Sequence, residues 1–551
     1  MFGFGKARKF THTTDVVVLG SGGAGLTSAI AAHDGGAQVM LLEKSNRIGG
    51  TTAVSGGVVW IPCNSHMAEV GCEDSRADAM TYLRRITEGR TDEVLLERFL
   101  DAGPEMLRFL EAKTSLRFAP LVKYPDYHPE LPGGKMGGRS LEPGLFDTNE
   151  LGTWKDKLRR SPVFGGTPMT VTEATSWGVF SDPLKLPYAE LGKRYKQGLV
   201  CYGGSLVGRL LKALLDRKLE PLLETAAREL IVEDGRVVGV RAERAGTELN
   251  IRALRGVVLA SGGFEWNAEL VKQFLGDRVT HPNSPPISDG DGLKMAMSVG
   301  ADLGNMGEAW WCPTVNVPGE TYDGQPLNRG DFSIRSLPHS IIVNGRGQRF
   351  VNEACNYNDL MKPFFDFDPV AYAPRNRPAF LIVDAQYLAK YIMVTAVPGM
   401  PTPDWIVQAP TLTELALKVG IDADGLEATV KRFNGFSEEG VDLDFKRGLS
   451  SYDHFYGDPK NGKNPNLGTL SKAPFYALPV QLGAIGTKGG ARIDEHGRVV
   501  HVGGRPVPGL YAAGNVTSGL MAAGYPGAGA TIGVAMTFGF LAGRHAAANG
   551  G

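Results

Sequence analysis

The sequence predicts an α/β fold in which a doubly wound nucleotide domain is split into two chain segments by an inserted α+β domain. Three observations predict it. A β-branched run, DVVVL (15–19), leads into the glycine turn GSGGAG and then an apolar helix pattern. The same strand-then-glycine texture returns in GVVLASGGF (256–264) and again in PGLYAAGN (508–515). Between the last two, the chain turns irregular, with prolines and tryptophans. A chain of 551 residues is also long for one core, so two domains are expected. We place the nucleotide domain at 12–280 and 478–551, and the catalytic, substrate-binding domain at 281–477.

The elements follow in order. DVVVL has the composition of a buried parallel strand, and LTSAIAAHDGGA (26–37) reads as a helix ending in glycines. VMLLEK (39–44) is the next strand, which completes a Rossmann-like βαβ unit. Residues 76–112 carry helical periodicity with mixed charge. Residues 115–200 are rich in Gly, Pro and aromatics, and 150–200 carries no assignable motif; we read it as shaping an entrance. LVGRLLKALLDRK (206–218) is a helix, and ELIVEDGRVVGVRAER (229–244) is a hairpin turning at Asp234-Gly235. SIIVNGRGQRFVNE (340–353) reads as strand, Asn344-Gly345 turn, strand. The nucleotide texture returns from about 478 and ends in the helix TIGVAMTFGFLAGRHAA (531–547).

Composition narrows the function. A hydrophobic fraction of 42% suffices for ordinary cores, and 58 basic against 59 acidic residues leave a net charge of -1. That balance argues against nucleic acid or an anionic membrane surface as partner. The 73 glycines, well above the usual ~7%, are scattered in short motifs, which suggests backbone packed closely around a ligand. Five scattered cysteines (Cys63, Cys72, Cys201, Cys312, Cys355) show no metal spacing and suggest a reducing compartment. The N-terminal MFGFGKARKF has basic residues but no signal-peptide core, and no long apolar run follows. A soluble, cytoplasmic protein is the default expectation. Peripheral membrane contact, which an apolar substrate would favour, stays open.

Gly20, Gly22 and Gly25 form GxGxxG between strand and helix. The first permits the turn, the second lets phosphate approach, and the third lets helix pack on strand. Glu43 ends the next strand, where a carboxylate suits ribose hydroxyls and repels a 2′-phosphate. GGTTAVSGG (49–57), ASGG (260–263) and LYAAGN (510–515) are dispersed glycine contacts of the kind that hold a long, buried dinucleotide. Tyr525 lies four positions before Gly529 in AAGYPGAGATIG (522–533), just ahead of the final helix. A phenol and a free helix N-terminal N–H can converge there on one carbonyl oxygen, which stabilises an enolate.

Those glycine segments resemble, in order and over nearly the whole chain, the FAD-binding segments of the fumarate reductase/3-ketosteroid dehydrogenase flavoprotein superfamily. The resemblance implies FAD. It places Glu43 on the adenosine ribose, and Gly50, Thr51, Thr52, Ser55 and Gly57 along the pyrophosphate and flavin. Ser261 and Gly262 take the adenine side, and Gly514 and Asn515 the ribityl chain. GGTTAVSGG has no histidine to carry covalent flavin, so the FAD is expected to be non-covalent. Fumarate reductases place an arginine where Tyr357 stands and a histidine where Gly486 stands before TKGG. Losing both cations counts against a dicarboxylate substrate.

YPDYHPELPGG (124–134), NEACNY (352–357) and GYPGAG (524–529) instead resemble 3-ketosteroid Δ1-dehydrogenases. That likeness implies catalytic roles for Tyr127, Tyr357, Tyr525 and Gly529. The Tyr525 hydroxyl and Gly529 N–H would bind the 3-keto oxygen. Tyr357 would take a proton from carbon 2, Tyr127 would help Tyr357 ionise, and flavin would take hydride from carbon 1. Tyr124 competes with Tyr127 for its role. The slot should be apolar, and Trp60, Phe118, Trp310, Trp311, Phe364 and Phe365 are candidate walls, although the tryptophan pair also suits a core. Cys355 reads as a buried filler, and Lys488 stays unassigned between surface lysine and flavin anchor. The partners implied are a 3-ketosteroid and a quinone-type or dye electron acceptor, not NAD. The alternatives are 4,5-desaturation of 5α-3-ketosteroids, oxidation of another cyclic ketone, a fumarate-type ene-reductase, or a flavin-bearing electron-transfer subunit.

Overall fold

The computed structural model describes residues 9–548. The basic N-terminal run Met1–Arg8, where a signal segment would begin, lies outside them. The main sheet follows the order Val39–Leu42, His12–Leu19, Thr247–Leu259, Pro506–Ala512, Arg498–Val500. The first three pairings are parallel and the last antiparallel. Val16, Val17 and Val18 are all fully buried, as both faces of a covered parallel strand should be. Strands from the two ends of the chain therefore share one sheet. The helices Gly23–Asp34 and Ala530–Ala548 pack against each other beside it. The hairpin Thr225–Glu233/Arg236–Arg244 pairs onto the outer half of Thr247–Leu259. Its turn residues Asp234 and Gly235 both have positive φ, as the right-handed strand twist favours.

A second, antiparallel sheet runs Ser340–Asn344, Ala379–Asp384, Phe475–Pro479, Val407–Ala409. Side-chain alternation splits its residues between two cores: Ile341 and Val343 pack with Leu426 and Phe433, while Ile342 packs with Tyr387. The expected second strand after Asn344-Gly345 is reduced to one bridge, Val343 to Arg349. The reason is the buried carboxylate of Glu353. It accepts the Ile342 N–H (3.1 Å) and pairs with Arg349 (2.6 Å) and Arg447 (3.3 Å), so an ionic network takes the place of a ladder.

The strand Ala309–Tyr322, paired with Gln481–Thr487, lies between the first and second cores. Its neighbours Trp310 and Trp311 point opposite ways, one into each core. Among the described residues, no helix is long and apolar enough to cross a membrane.

Candidate active site

One cavity runs from the glycine turn at Gly20 to the segment that carries Tyr525. At its nucleotide end, Gly20, Gly22, Glu43, Gly50, Thr51, Thr52, Ser55, Gly57, Ser261, Gly262, Gly514 and Asn515 all line the wall. Gly25 does not line it. A Cβ there would fall 1.9 Å from the Gly20 carbonyl oxygen, so this glycine serves the close packing of helix on turn. Glu43 is buried and held in place: its carboxylate accepts from the Ser21 N–H (3.1 Å), the Ser21 hydroxyl (2.6 Å) and the Ser45 N–H (2.9 Å). Thr52 Oγ1 accepts the Gly23 N–H at 3.0 Å, which fixes the GGTTAVSGG segment over the helix start. The Ser261 hydroxyl is buried with no hydrogen-bond partner in the protein.

The other end is a cluster of tyrosines from three distant segments. Tyr127, Tyr357, Tyr525 and Gly529 all line the same cavity. Tyr127 is held by its own N–H, which donates to the Pro526 carbonyl at 2.9 Å. Tyr82 donates to the same carbonyl at 2.6 Å, which ties the Tyr127 and Tyr525 segments together. Tyr357 begins the short helix Tyr357–Leu360, capped by Asn356 on the Asp359 N–H. The Tyr127 hydroxyl donates to the Tyr357 hydroxyl at 3.0 Å. The Tyr525 ring lies 4.9 Å from that of Tyr127 and 5.5 Å from that of Tyr357, centre to centre. Tyr124 lines the same cavity, but its hydroxyl meets that of Tyr456 at 2.5 Å and its ring stacks on Phe455, while Tyr127 is the one that donates to Tyr357.

Gly529 has φ +93°, and a Cβ would fall 2.3 Å from the Val58 carbonyl oxygen, so only glycine fits this turn. Among the described residues, no hydrogen bond takes the Gly529 N–H. Burial pushes the pKa of Tyr357 and of Tyr127 well above the ordinary phenol value. The hydrogen bond from Tyr127 acts against that rise at Tyr357. Tyr525 is also raised by burial, and its contact with the Thr531 hydroxyl at 3.0 Å opposes the rise.

The six aromatic walls expected from sequence are corrected by the structure, since none of them lines the cavity. Trp60 is fully buried with its indole N–H on Asp126, Phe118 belongs to the first core, and Trp311, Phe364 and Phe365 pack in the second. Trp310 stands behind Tyr525, edge to face at 4.7 Å. The walls are instead Val163, Phe164, Phe180, Phe332, Ile334 and Phe455. Three of these come from the 150–200 region, where aromatic content without periodicity was the available signal. One polar residue was also missed, Thr531, two positions after Gly529, and Lys488, left open between surface and flavin anchor, is fully buried and lines no part of the cavity. Cys355 carries a thiol whose acidity is weakened by burial, as a filler's would be.

Comparison with known proteins adds three findings. A family model described as an FAD binding domain matches residues 15–532. The chain is 40% identical to a 3-oxosteroid 1-dehydrogenase of Mycolicibacterium smegmatis, over 96% of each chain. It is 43% identical to a 4-oxocyclohexanecarboxylate 2-dehydrogenase of Sinomonas cyclohexanicum, over 97% of this chain and 92% of that one. Among solved structures, a 3-ketosteroid Δ1-dehydrogenase of Sterolibacterium denitrificans, crystallised with 1,4-androstadiene-3,17-dione, superposes with a TM-score of 0.90 at 38% identity. That match covers 98% of this chain and 100% of the other.

Proposed function

Because the chain belongs to the FAD-binding flavoprotein family of the 3-oxosteroid 1-dehydrogenases, we propose that it desaturates the 1,2-bond of 3-ketosteroids, with FAD as the oxidant. It is an FAD-dependent oxidoreductase. The residues of the nucleotide end suit FAD: the buried carboxylate of Glu43 would take ribose hydroxyls, and the glycine-turn backbone at Gly20, Gly22 and Gly50 would let a pyrophosphate approach. FAD, when bound without a covalent link, supplies the hydride acceptor. The protein does the rest. The Tyr525 hydroxyl and the Gly529 N–H hold the 3-keto oxygen and take up charge as the enolate forms. Tyr357 removes the proton from carbon 2. Tyr127 donates to the Tyr357 oxygen and so stabilises its ionised form. The apolar walls grip the ring system without charge and exclude water. The electrons leave to a quinone-type acceptor, for which a dye substitutes in assays.

One observation carries this reading: Tyr127, Tyr357, Tyr525 and Gly529 come from three distant segments yet face one cavity that also holds the nucleotide residues. The test is anaerobic mixing of the FAD-loaded protein with a 3-keto-4-ene steroid. The flavin absorbance should bleach and the 1,4-diene should form; an unchanged spectrum refutes the reaction.

The relative from Sinomonas favours a second reading, a small cyclic ketone bearing a carboxylate. Such a substrate needs a cation at its far end. Among the described residues, the charged groups lining the cavity are Glu43, Lys44 and Asp291, all at the nucleotide end. Lys44 is paired with Asp289 (2.6 Å) and Asp291 (3.0 Å). This favours the neutral steroid. A kcat/KM for 4-oxocyclohexanecarboxylate above that for the steroid would reverse the preference.

A further inference from the structure

Lys488 is fully buried, yet it lines no part of the cavity. A buried ammonium costs several kcal/mol of desolvation, and an apolar side chain of similar volume would fill the space without that cost. Its surroundings show what it contacts. Nζ donates to the Gly524 carbonyl at 2.8 Å and to Asn358 Oδ1 at 3.2 Å. It also sits 4.4 Å from the centre of the Trp310 ring, a cation–π contact. Gly524 immediately precedes Tyr525, and Asn358 immediately follows Tyr357. The Trp310 ring lies against Tyr525, and its indole N–H donates to Asn515 Oδ1 at 3.2 Å. One side chain thus touches the flanking residue of both tyrosines and the ring that backs one of them.

The network continues behind the site. The Asn358 amide donates to Asp359 (3.0 Å) and to the Ala523 carbonyl (3.2 Å), and Asp359 pairs with His128 at 2.7 Å. His128 immediately follows Tyr127. All three tyrosine-bearing segments are therefore cross-linked from the rear by polar contacts, with the lysine between the two on the substrate side.

We propose that Lys488 is a positioning residue that fixes Tyr525 relative to Tyr357, so that the oxyanion donor and the base meet one ring of the substrate at adjacent carbons. The proposal rests on the catalytic reading of those two tyrosines. Burial lowers the pKa of the ammonium to about 7, while Glu308 and Asp359 work to keep it charged and Lys362 and Arg90 work against it.

The test compares Lys488→Met, Lys488→Gln and Tyr525→Phe with the native protein. The readouts are FAD content, kcat and KM for a 3-keto-4-ene steroid, and the dissociation constant of the 1,4-diene product. Misplacing the tyrosines affects the transition state more than ground-state binding. Lys488→Met should therefore keep its FAD, lose about tenfold to a hundredfold in kcat, and hold KM and product affinity within about threefold. Lys488→Gln, which retains a donor for Gly524, should fall between Lys488→Met and the native protein. A kcat within about twofold of native in Lys488→Met overturns the proposal. So does an equal loss of kcat and product affinity, or loss of FAD in both lysine variants, each of which assigns the lysine to the fold. Full activity in Tyr525→Phe would instead remove the tyrosine reading itself.

Discussion

The two ends of the cavity are built by opposite means. At the nucleotide end the backbone makes the site: glycine turns, a helix start, and one carboxylate locked by Ser21 and Ser45. At the tyrosine end, side chains from three segments make it, and the backbone serves to hold them, as the paired contacts on the Pro526 carbonyl show. The first end should therefore be sensitive to an added methyl group and the second to a removed hydroxyl. The first should lose cofactor when damaged, and the second should lose rate with cofactor in place.

Four experiments break or sharpen that contrast. The largest effect belongs to Tyr357→Phe, which removes the proposed base; kcat should fall about 10²–10⁴-fold with the flavin spectrum intact. Tyr525→Phe should cost about 10²–10³-fold, the usual loss for one oxyanion donor. Gly25→Ala at the opposite end should act differently, since its methyl group would meet the Gly20 carbonyl oxygen at 1.9 Å. Purified Gly25→Ala should carry little FAD, and normal FAD content with low kcat would blur the two ends. The smallest effect is expected from Thr531→Val. Losing one neutral hydrogen bond to Tyr525 is worth about 0.5–1.5 kcal/mol, or roughly twofold to tenfold in kcat, and Thr531→Ser should restore it.

The pH dependence tests the tyrosine end alone. In the proposed reaction the active form of Tyr357 is the ionised one, and burial raises its pKa. The ionised fraction therefore grows as pH rises, and kcat/KM should climb through the neutral range without levelling before about pH 10. A profile that falls between pH 6 and 9 would point to a different base.

The same contrast explains what could be read from sequence. The nucleotide end is local: GSGGAG and Glu43 sit within one βαβ unit, and their roles follow from spacing. Tyr525 and Gly529 are also local to one turn, so their pairing could be proposed from spacing. Tyr127 and Tyr357 are 230 positions apart, and only family likeness joined them. The substrate walls were misassigned because aromatic identity carries no direction. Trp310 and Trp311 read alike in sequence, yet strand alternation sends one behind Tyr525 and the other into the second core. Lys488 stayed unassigned because nothing in GTKGG announces burial. The strand expected after Asn344-Gly345 failed because Glu353, four residues beyond Arg349, takes the Ile342 N–H for an ionic network.

The most direct test is a crystal structure of the protein with FAD and a 3-keto-1,4-diene steroid. The account predicts the 3-keto oxygen within about 3 Å of both the Tyr525 hydroxyl and the Gly529 nitrogen, with carbon 2 facing the Tyr357 hydroxyl. A steroid bound with its ketone away from that pair, or with Tyr357 turned from carbon 2, would contradict it.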